Sequence, residues 1–299
     1  MKMVSINISE YYHLKWPEWM SHLKSFGFND MEIAINEIRE REKIDEVLRL
    51  LQENNIKASA VHDWFHFFSP NDSEGIRAAQ ERLILDLEYT RILNSDKLIW
   101  YTGPNDHFQG DAALQELLKR LEPVLKRAEE LNITLLLETE FVKDSCDPAA
   151  SVKLLKKLFK LADTPFLACN YDAANLYVAG EEPFPYGYEE LKPWIKYIHM
   201  KDSRELVEGA HLEENMKGYL LEGKKSAVSC ALGEGAVNMH GLIEALRADN
   251  YKGYLSLELH IPRHPEAPLT NTFIQYPTFS IDYFQYVLIN SRDFIRVSS

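Results

Sequence analysis

Ile133-Thr134-Leu135-Leu136-Leu137-Glu138-Thr139-Glu140 is the stretch that decides the fold. An apolar run too short for a helix, closed by a carboxylate, reads as a buried parallel strand that delivers one charged group into a cleft. Three later segments repeat the design: Phe166-Leu167-Ala168-Cys169-Asn170-Tyr171-Asp172, Ile195-Lys196-Tyr197-Ile198-His199-Met200-Lys201-Asp202 and Tyr254-Leu255-Ser256-Leu257-Glu258-Leu259-His260. Each carries a metal-binding residue at its end. Strands lying side by side in a parallel barrel converge at their C-terminal rim, where such barrels build their active sites. Glu138, Asp172, His199 and Glu258 are therefore expected to form one carboxylate-rich metal site.

Working outward, the same unit recurs about every thirty residues. Met3 to Ile8 predicts a first strand, followed by a helix from Pro17 to Phe26 that Gly27 closes. Met31 to Ile35 alternates like a strand, and Ile38, Ile44, Val47, Leu48 and Leu51 mark a helical face that Asn54 and Asn55 end. Ile56 to Val61 predicts the third strand, with His62 and Asp63 at its end, before a helix striped by Ile76, Leu83, Leu87 and Ile92. Lys97 to Tyr101 and a helix from about 112 to 131 make the fourth unit, with Pro123 expected to kink or restart that helix. The eighth strand carries Glu258 before a last amphipathic helix around 281–289. Eight strands alternating with helices predict a single (β/α)8 TIM barrel of class α/β, one domain over 1–299. The long polar interval at about 203–229 reads as an extended loop over the rim and a candidate lid. An open, doubly wound sheet would need a Gly-rich phosphate turn after an early strand, and none is present.

Composition bounds the function. A chain of 299 residues with 45% hydrophobic and 26% charged residues has ample material for a large core. A formal net charge of −13 opposes docking along a phosphate backbone, and no local basic patch overrides it, so no nucleic-acid partner is expected. Cys146, Cys169 and Cys230 lack CxxC spacing, which fits reduced thiols. No signal-peptide pattern or membrane-length apolar run is visible, so a cytoplasmic protein without a membrane partner is expected.

Two glutamates, one aspartate and one imidazole form a hard, oxygen-rich ligand set for one divalent metal ion, Mn²⁺ in the first place, with Mg²⁺, Co²⁺ and Zn²⁺ also acceptable. Such an ion would polarise a carbonyl and an adjacent hydroxyl of a small-molecule sugar, easing removal of the α-proton and stabilising the enediolate. With Glu138 and Glu258 on opposite sides of the substrate, one carboxylate removes a proton and the other returns it. That is isomerisation or epimerisation.

The motifs Leu137-Glu138, Asp172-Ala173-Ala174-Asn175, His199-Met200-Lys201-Asp202, Leu232-Gly233-Glu234-Gly235 and Leu257-Glu258 stand in an order and spacing that resemble the xylose-isomerase-like TIM-barrel superfamily. The resemblance covers nearly the whole chain. That superfamily holds sugar isomerases, sugar epimerases, keto-inositol dehydratases and abasic-site endonucleases. It implies that Glu138, Asp172, His199 and Glu258 are metal ligands and that Glu138 and Glu258 are also the catalytic acid/base pair of the epimerase branch. Asn175 departs from the pattern, which commonly has His there; an amide can hydrogen-bond a sugar hydroxyl but is not a strong ligand.

Around the rim, His62, Trp64, Asn175, Lys201 and Arg263 are the expected substrate contacts, Trp64 offering an apolar face to a sugar ring. His66 is expected on an exposed loop, Trp100 in the core, and Glu32 in a structural ion pair. Glu234 between two glycines argues against a phosphate turn, because its charge would repel phosphate. From the same enediolate, loss of a β-hydroxyl would make the enzyme a dehydratase of a keto-inositol or keto-sugar instead. An endonuclease would need extra histidines where Tyr101 and Asn175 stand. A non-catalytic barrel would have no reason to gather four costly polar groups.

Overall fold

A computed structural model of the chain describes residues 4–6, 20, 23–25, 27–36, 38–141, 147–205, 219–220, 226–230, 232–258 and 290–295. Arg263 and the helix expected at 281–289 lie outside them, as does most of the first helix, of which residues 20 and 23–25 are helical. The described strands are β1 (Val4–Ile6), β2 (Asp30–Ala34), β3 (Lys57–His66), β4 (Lys97–Tyr101), β5 (Thr134–Glu138), β6 (Leu167–Asp172), β7 (Ile195–Met200), β8 (Asp202–Glu205), β9 (Tyr219–Leu220), β10 (Ser226–Cys230) and β11 (Tyr254–Leu257). Eight of them form one parallel sheet in the order β1-β11-β7-β6-β5-β4-β3-β2, and β1 lies beside β2. The two edges thus meet in a nearly closed barrel. The chain folds as a TIM barrel, as its eight repeated units predict.

Alternation along the strands divides the apolar residues into two cores. Met31, Ile33, Leu98, Trp100, Leu135, Leu137, Cys169, Ile198, Met200, Leu255 and Leu257 pack outward with the helices. Ala60, Ile99, Tyr101, Leu136, Ala168 and Tyr197 form a separate cluster that fills the barrel. Continuing each inward row toward the strand ends gives Glu138 after Leu136, Asn170 and Asp172 after Ala168, and His199 and Lys201 after Tyr197. The pairings Glu138 with Asn170, Asp172 with His199 and Ser256 with His199 set these side chains at neighbouring heights.

The helices close where the sequence says they should. Helix Arg41–Asn54 ends on Asn55 at φ 52°, and helix Gly110–Leu131 on Asn132 at φ 54°, a left-handed cap that Asn tolerates. Asp72 caps helix Ser73–Ile92 by accepting from the Gly75 amide at 2.8 Å. In Val152–Ala162, Val152, Leu155, Leu158 and Phe159 face the core and the lysines face out.

Three expectations change. Helix Gly110–Leu131 runs through Pro123 without a break. Pro123 and Lys119 are both exposed, so the Lys119 carbonyl that loses its partner can turn to water. Strand β3 continues past its expected end to His66, which places Trp64 and His66 on a strand. Finally, the segment read as an extended loop carries β8, β9 and β10, an antiparallel sheet in the order β8-β10-β9. Its anchor is Asp202, whose carboxylate accepts from the amides of Gly233 and Gly235 at 2.9 and 3.0 Å, and of Ser203 and Val237 at 2.9 and 3.3 Å. The Gly-Glu-Gly turn therefore does cradle an anion, and that anion is the protein's own.

Candidate metal centre

The ends of β5, β6, β7 and β11 bring Glu138, Asp172, His199 and Glu258 together, with one ligand atom from each lying within 4.8 Å of the others and all four residues buried. Oxygens opposite one another on a single ion at ~2.1 Å stand ~4.2 Å apart, so the group needs to contract little to hold one. His199 Nδ1 is 3.1 Å from Glu258 Oε2, 3.3 Å from Glu138 Oε2 and 4.0 Å from Asp172 Oδ2.

Each carboxylate is held by neighbours that leave part of it for the cluster. Glu138 Oε2 accepts from the Tyr101 hydroxyl and the Asn170 amide, both at 3.0 Å, and Oε1 accepts from Asn175 Nδ2 at 3.2 Å. Asp172 gives Oδ1 to the Asn175 backbone amide at 2.8 Å. Its Oδ2 is buried with no well-directed hydrogen bond among the described residues, although the Lys201 ammonium stands 2.9 Å away. The same ammonium is 2.9 Å from Glu258 Oε2.

The electrostatics fit a cation. With His199 neutral, as a metal ligand must be, three carboxylates against one ammonium leave a charge of minus two, which one divalent ion would neutralise. Burial lifts the Asp172 carboxyl to about 6, against the pull of Lys201, with Glu258 and Glu138 lifting it further. Burial works against the His199 cation, yet Glu138, Glu258 and Glu32 outweigh it and hold that imidazole well above its ordinary range. Carboxylates that draw a proton onto a buried imidazole are short of positive charge. Together with the buried, under-used Oδ2 and the hard donor set, this suits a divalent metal held by Glu138, Asp172, His199 and Glu258.

Above the quartet opens a cavity of about 460 Å³ lined by Trp64, Phe65, His66, Tyr101, Glu138, Glu140, Phe141, Asn175, Lys201 and Glu258. Trp64, Asn175 and Lys201, the expected substrate contacts, are among these lining residues. Trp64 is half exposed and donates its Nε1 hydrogen to Tyr101 at 2.9 Å. His62 is different: it is wholly buried and bonds Glu32 at 2.7 Å, and it is not among the cavity-lining residues. His66 is exposed and lines the cavity, and Trp100 is buried in the outer core.

Sequence reasoning passed over Glu140, Phe65 and Phe141 on the cavity wall and Asn170 beneath it. Glu140 and Asn170 had a signal, since each keeps step with an inward member of the quartet two residues away; Phe65 and Phe141 had none. Glu32 had one too: a carboxylate between Met31 and Ile33 in a strand covered on both faces. It is wholly buried, and His199 and His62 overcome the cost of burial to hold it at about 2.

Residues 20–273 match the xylose isomerase-like TIM barrel family, and the chain belongs to that family. A 104-residue stretch, 35% of this chain, is 28% identical to inosose dehydratase of Bacillus thuringiensis, and spans only 34% of that protein's length. Among solved structures, D-psicose 3-epimerase from Clostridium cellulolyticum H10 superposes with a TM-score of 0.75 at 13% identity, over 99% of both chains. The probable 3-DHS dehydratase AsbF from Bacillus anthracis gives 0.70 at 17% identity, over 98% of both. At such identities these structural likenesses speak for the fold. No helix among the described residues is long and apolar enough to cross a membrane.

Proposed function

We propose that the protein is a divalent-metal-dependent isomerase or epimerase of a small ketose or related polyol ketone. The observation that carries this reading is that Glu138 and Glu258 belong to the quartet and also open onto the cavity. A substrate held there has a carboxylate to give up an α-proton to and a second one to recover it from. Glu138 is aimed by Tyr101, Asn170 and Asn175, and Glu258 by Lys201. Lys201 presents its ammonium to substrate oxygens, while Trp64, Phe65 and Phe141 cover ring carbons and thin the water around the charges. A bound divalent ion, Mn²⁺ first among the candidates, supplies stabilisation of the negative charge that forms on neighbouring substrate oxygens.

A second reading, dehydration of a keto-inositol or keto-sugar, is favoured by the sequence match to inosose dehydratase. There the α-proton goes to one carboxylate, the β-carbon to oxygen bond breaks, and the leaving hydroxide takes a proton from a cavity acid and departs as water. Incubation of Mn²⁺-loaded protein in D₂O with ketoses and with inosose separates the two. Deuterium in recovered or epimerised sugar supports the first reading, and a new enone absorbance supports the second. Neither signal from any of these substrates overturns both.

A further inference from the structure

One layer below the quartet, Glu32 uses both carboxylate oxygens on named partners. Oε1 is 2.7 Å from His62 Nδ1, while Oε2 is 2.9 Å from His199 Nε2 and accepts from the Ser256 hydroxyl at 3.2 Å. An ionised carboxylate only accepts, so each imidazole nitrogen facing it carries a hydrogen. His199 meets Glu32 through Nε2 and the quartet acids through Nδ1, 3.1 Å from Glu258 and 3.3 Å from Glu138, so a cation entering the quartet displaces the hydrogen on Nδ1 and leaves the one on Nε2 with Glu32. A neutral imidazole has one nitrogen of each kind, and a metal needs the one with the lone pair. The buried layer thus fixes which atom the ring offers above it.

His62 belongs to the same device. It is wholly buried, it turns Nδ1 toward Glu32, and its Nε2 has no hydrogen-bond partner among the described residues. With Ser256 it fixes the plane of the Glu32 carboxylate from two strands, β3 and β11.

We propose that Glu32 is a positioning residue that sets the tautomer and ring orientation of His199, so that Nδ1 is the atom offered to a divalent cation, and that His62 and Ser256 hold Glu32 in place. This rests on the quartet being a metal site and is independent of which sugar the enzyme takes. The carboxylate–histidine–metal arrangement raises the basicity of the ligand, and loss of such an outer partner weakens metal affinity 10- to 100-fold in general.

The test compares wild type with Glu32→Gln, which keeps the shape and one accepting oxygen but removes the charge. Calorimetric titration with Mn²⁺ alone reads the dissociation constant, and thermal melting of the metal-free proteins reads the fold. The expected result is a Kd raised ~10- to ~100-fold, with the metal-free melting temperature kept. A structural role alone would lower the melting temperature and leave Kd within about twofold, which overturns the proposal. Should the variant fail to fold, ¹⁵N imidazole spectra of wild type loaded with diamagnetic Zn²⁺ decide the matter. A ring bound through Nδ1 and protonated at Nε2 supports the role, and one bound through Nε2 overturns it. A wild type that takes up no divalent ion defeats the metal reading and this proposal together, whereas intact wild-type binding with an unaffected variant defeats the role of Glu32 alone.

Discussion

Lys201→Met removes an ammonium that lies 2.9 Å from two buried quartet carboxylates, Asp172 and Glu258. Both acids and the lysine are at most 6% exposed, so water cannot take over the ammonium's role. Methionine keeps much of the side-chain volume, which isolates the charge from the packing. Breaking a buried ion pair by deleting one partner costs ~3–5 kcal/mol, and for a domain near this size each kcal/mol moves the melting temperature ~2 °C. Metal-free Lys201→Met should therefore melt ~6–10 °C below metal-free wild type. A divalent ion in the quartet replaces the missing positive charge, and ligand binding stabilises a folded state by RT ln(1 + L/Kd) at free ligand concentration L, more for the form that binds more tightly. Saturating Mn²⁺ should then raise the variant's melting temperature by more than it raises that of wild type. Calorimetry in EDTA and in Mn²⁺ gives all four numbers. An equal deficit in both conditions would refute the idea that lysine and metal neutralise the same carboxylates.

Other consequences follow from the same geometry. Tyr101→Phe deletes a hydrogen bond to Glu138 at 3.0 Å; a bond to a charged acceptor is worth ~1.5–3 kcal/mol, so α-proton exchange into D₂O should slow ~10- to ~100-fold without loss of the fold. Asp202→Ala leaves the Ser203, Gly233, Gly235 and Val237 amides without their acceptor and should cost ~1–3 kcal/mol in urea melts, with faster amide exchange confined to Ser203 and 232–238. Gly235→Ala should do similar damage, because a Cβ there would meet Asp202 Oδ1 at 1.9 Å. Asp86 lies behind β3, where burial and then the neighbouring Asp63 charge raise its carboxyl from 3.8 to about 8 despite Arg39 at 2.7 Å. A raised acid holds its proton in the folded state while the unfolded chain has released it, so stability falls as pH rises across that window. Relative to Asp86→Asn, wild type should lose up to ~1.4 kcal/mol per pH unit between 3.8 and about 8 in urea titrations; a pH-independent difference would contradict this.

How far the sequence could be read depends on whether a residue's partners share its strand pattern. The buried runs around Leu135–Leu137, Leu167–Cys169 and Tyr197–Ile198 announce strands through hydrophobicity alone, and a ligand at each end announces the rim. Lys97–Tyr101 was legible to the residue. Glu32 and His62 were harder, because their meaning depends on a contact between β2 and β7, which stand three strands apart around the barrel, with Glu32 and His199 167 positions apart in sequence. His62 lay within the strand and not at its end, since β3 runs on through an irregular stretch between His62 and His66. The β8-β10-β9 sheet escaped because its strands are short and far apart in the chain, and its anchor is a side chain bonded to backbone amides. Pro123 misled because a proline on the exposed side of a long helix costs one bond that water replaces.

The central claim is that one divalent cation sits among Glu138, Asp172, His199 and Glu258. Anomalous diffraction from Mn²⁺-soaked crystals, recorded on both sides of the manganese edge, tests it directly. A single peak is expected ~2.0–2.3 Å from a carboxylate oxygen of each acid and from Nδ1 of His199. No peak among these four side chains, or manganese bound elsewhere with the quartet empty, would contradict it.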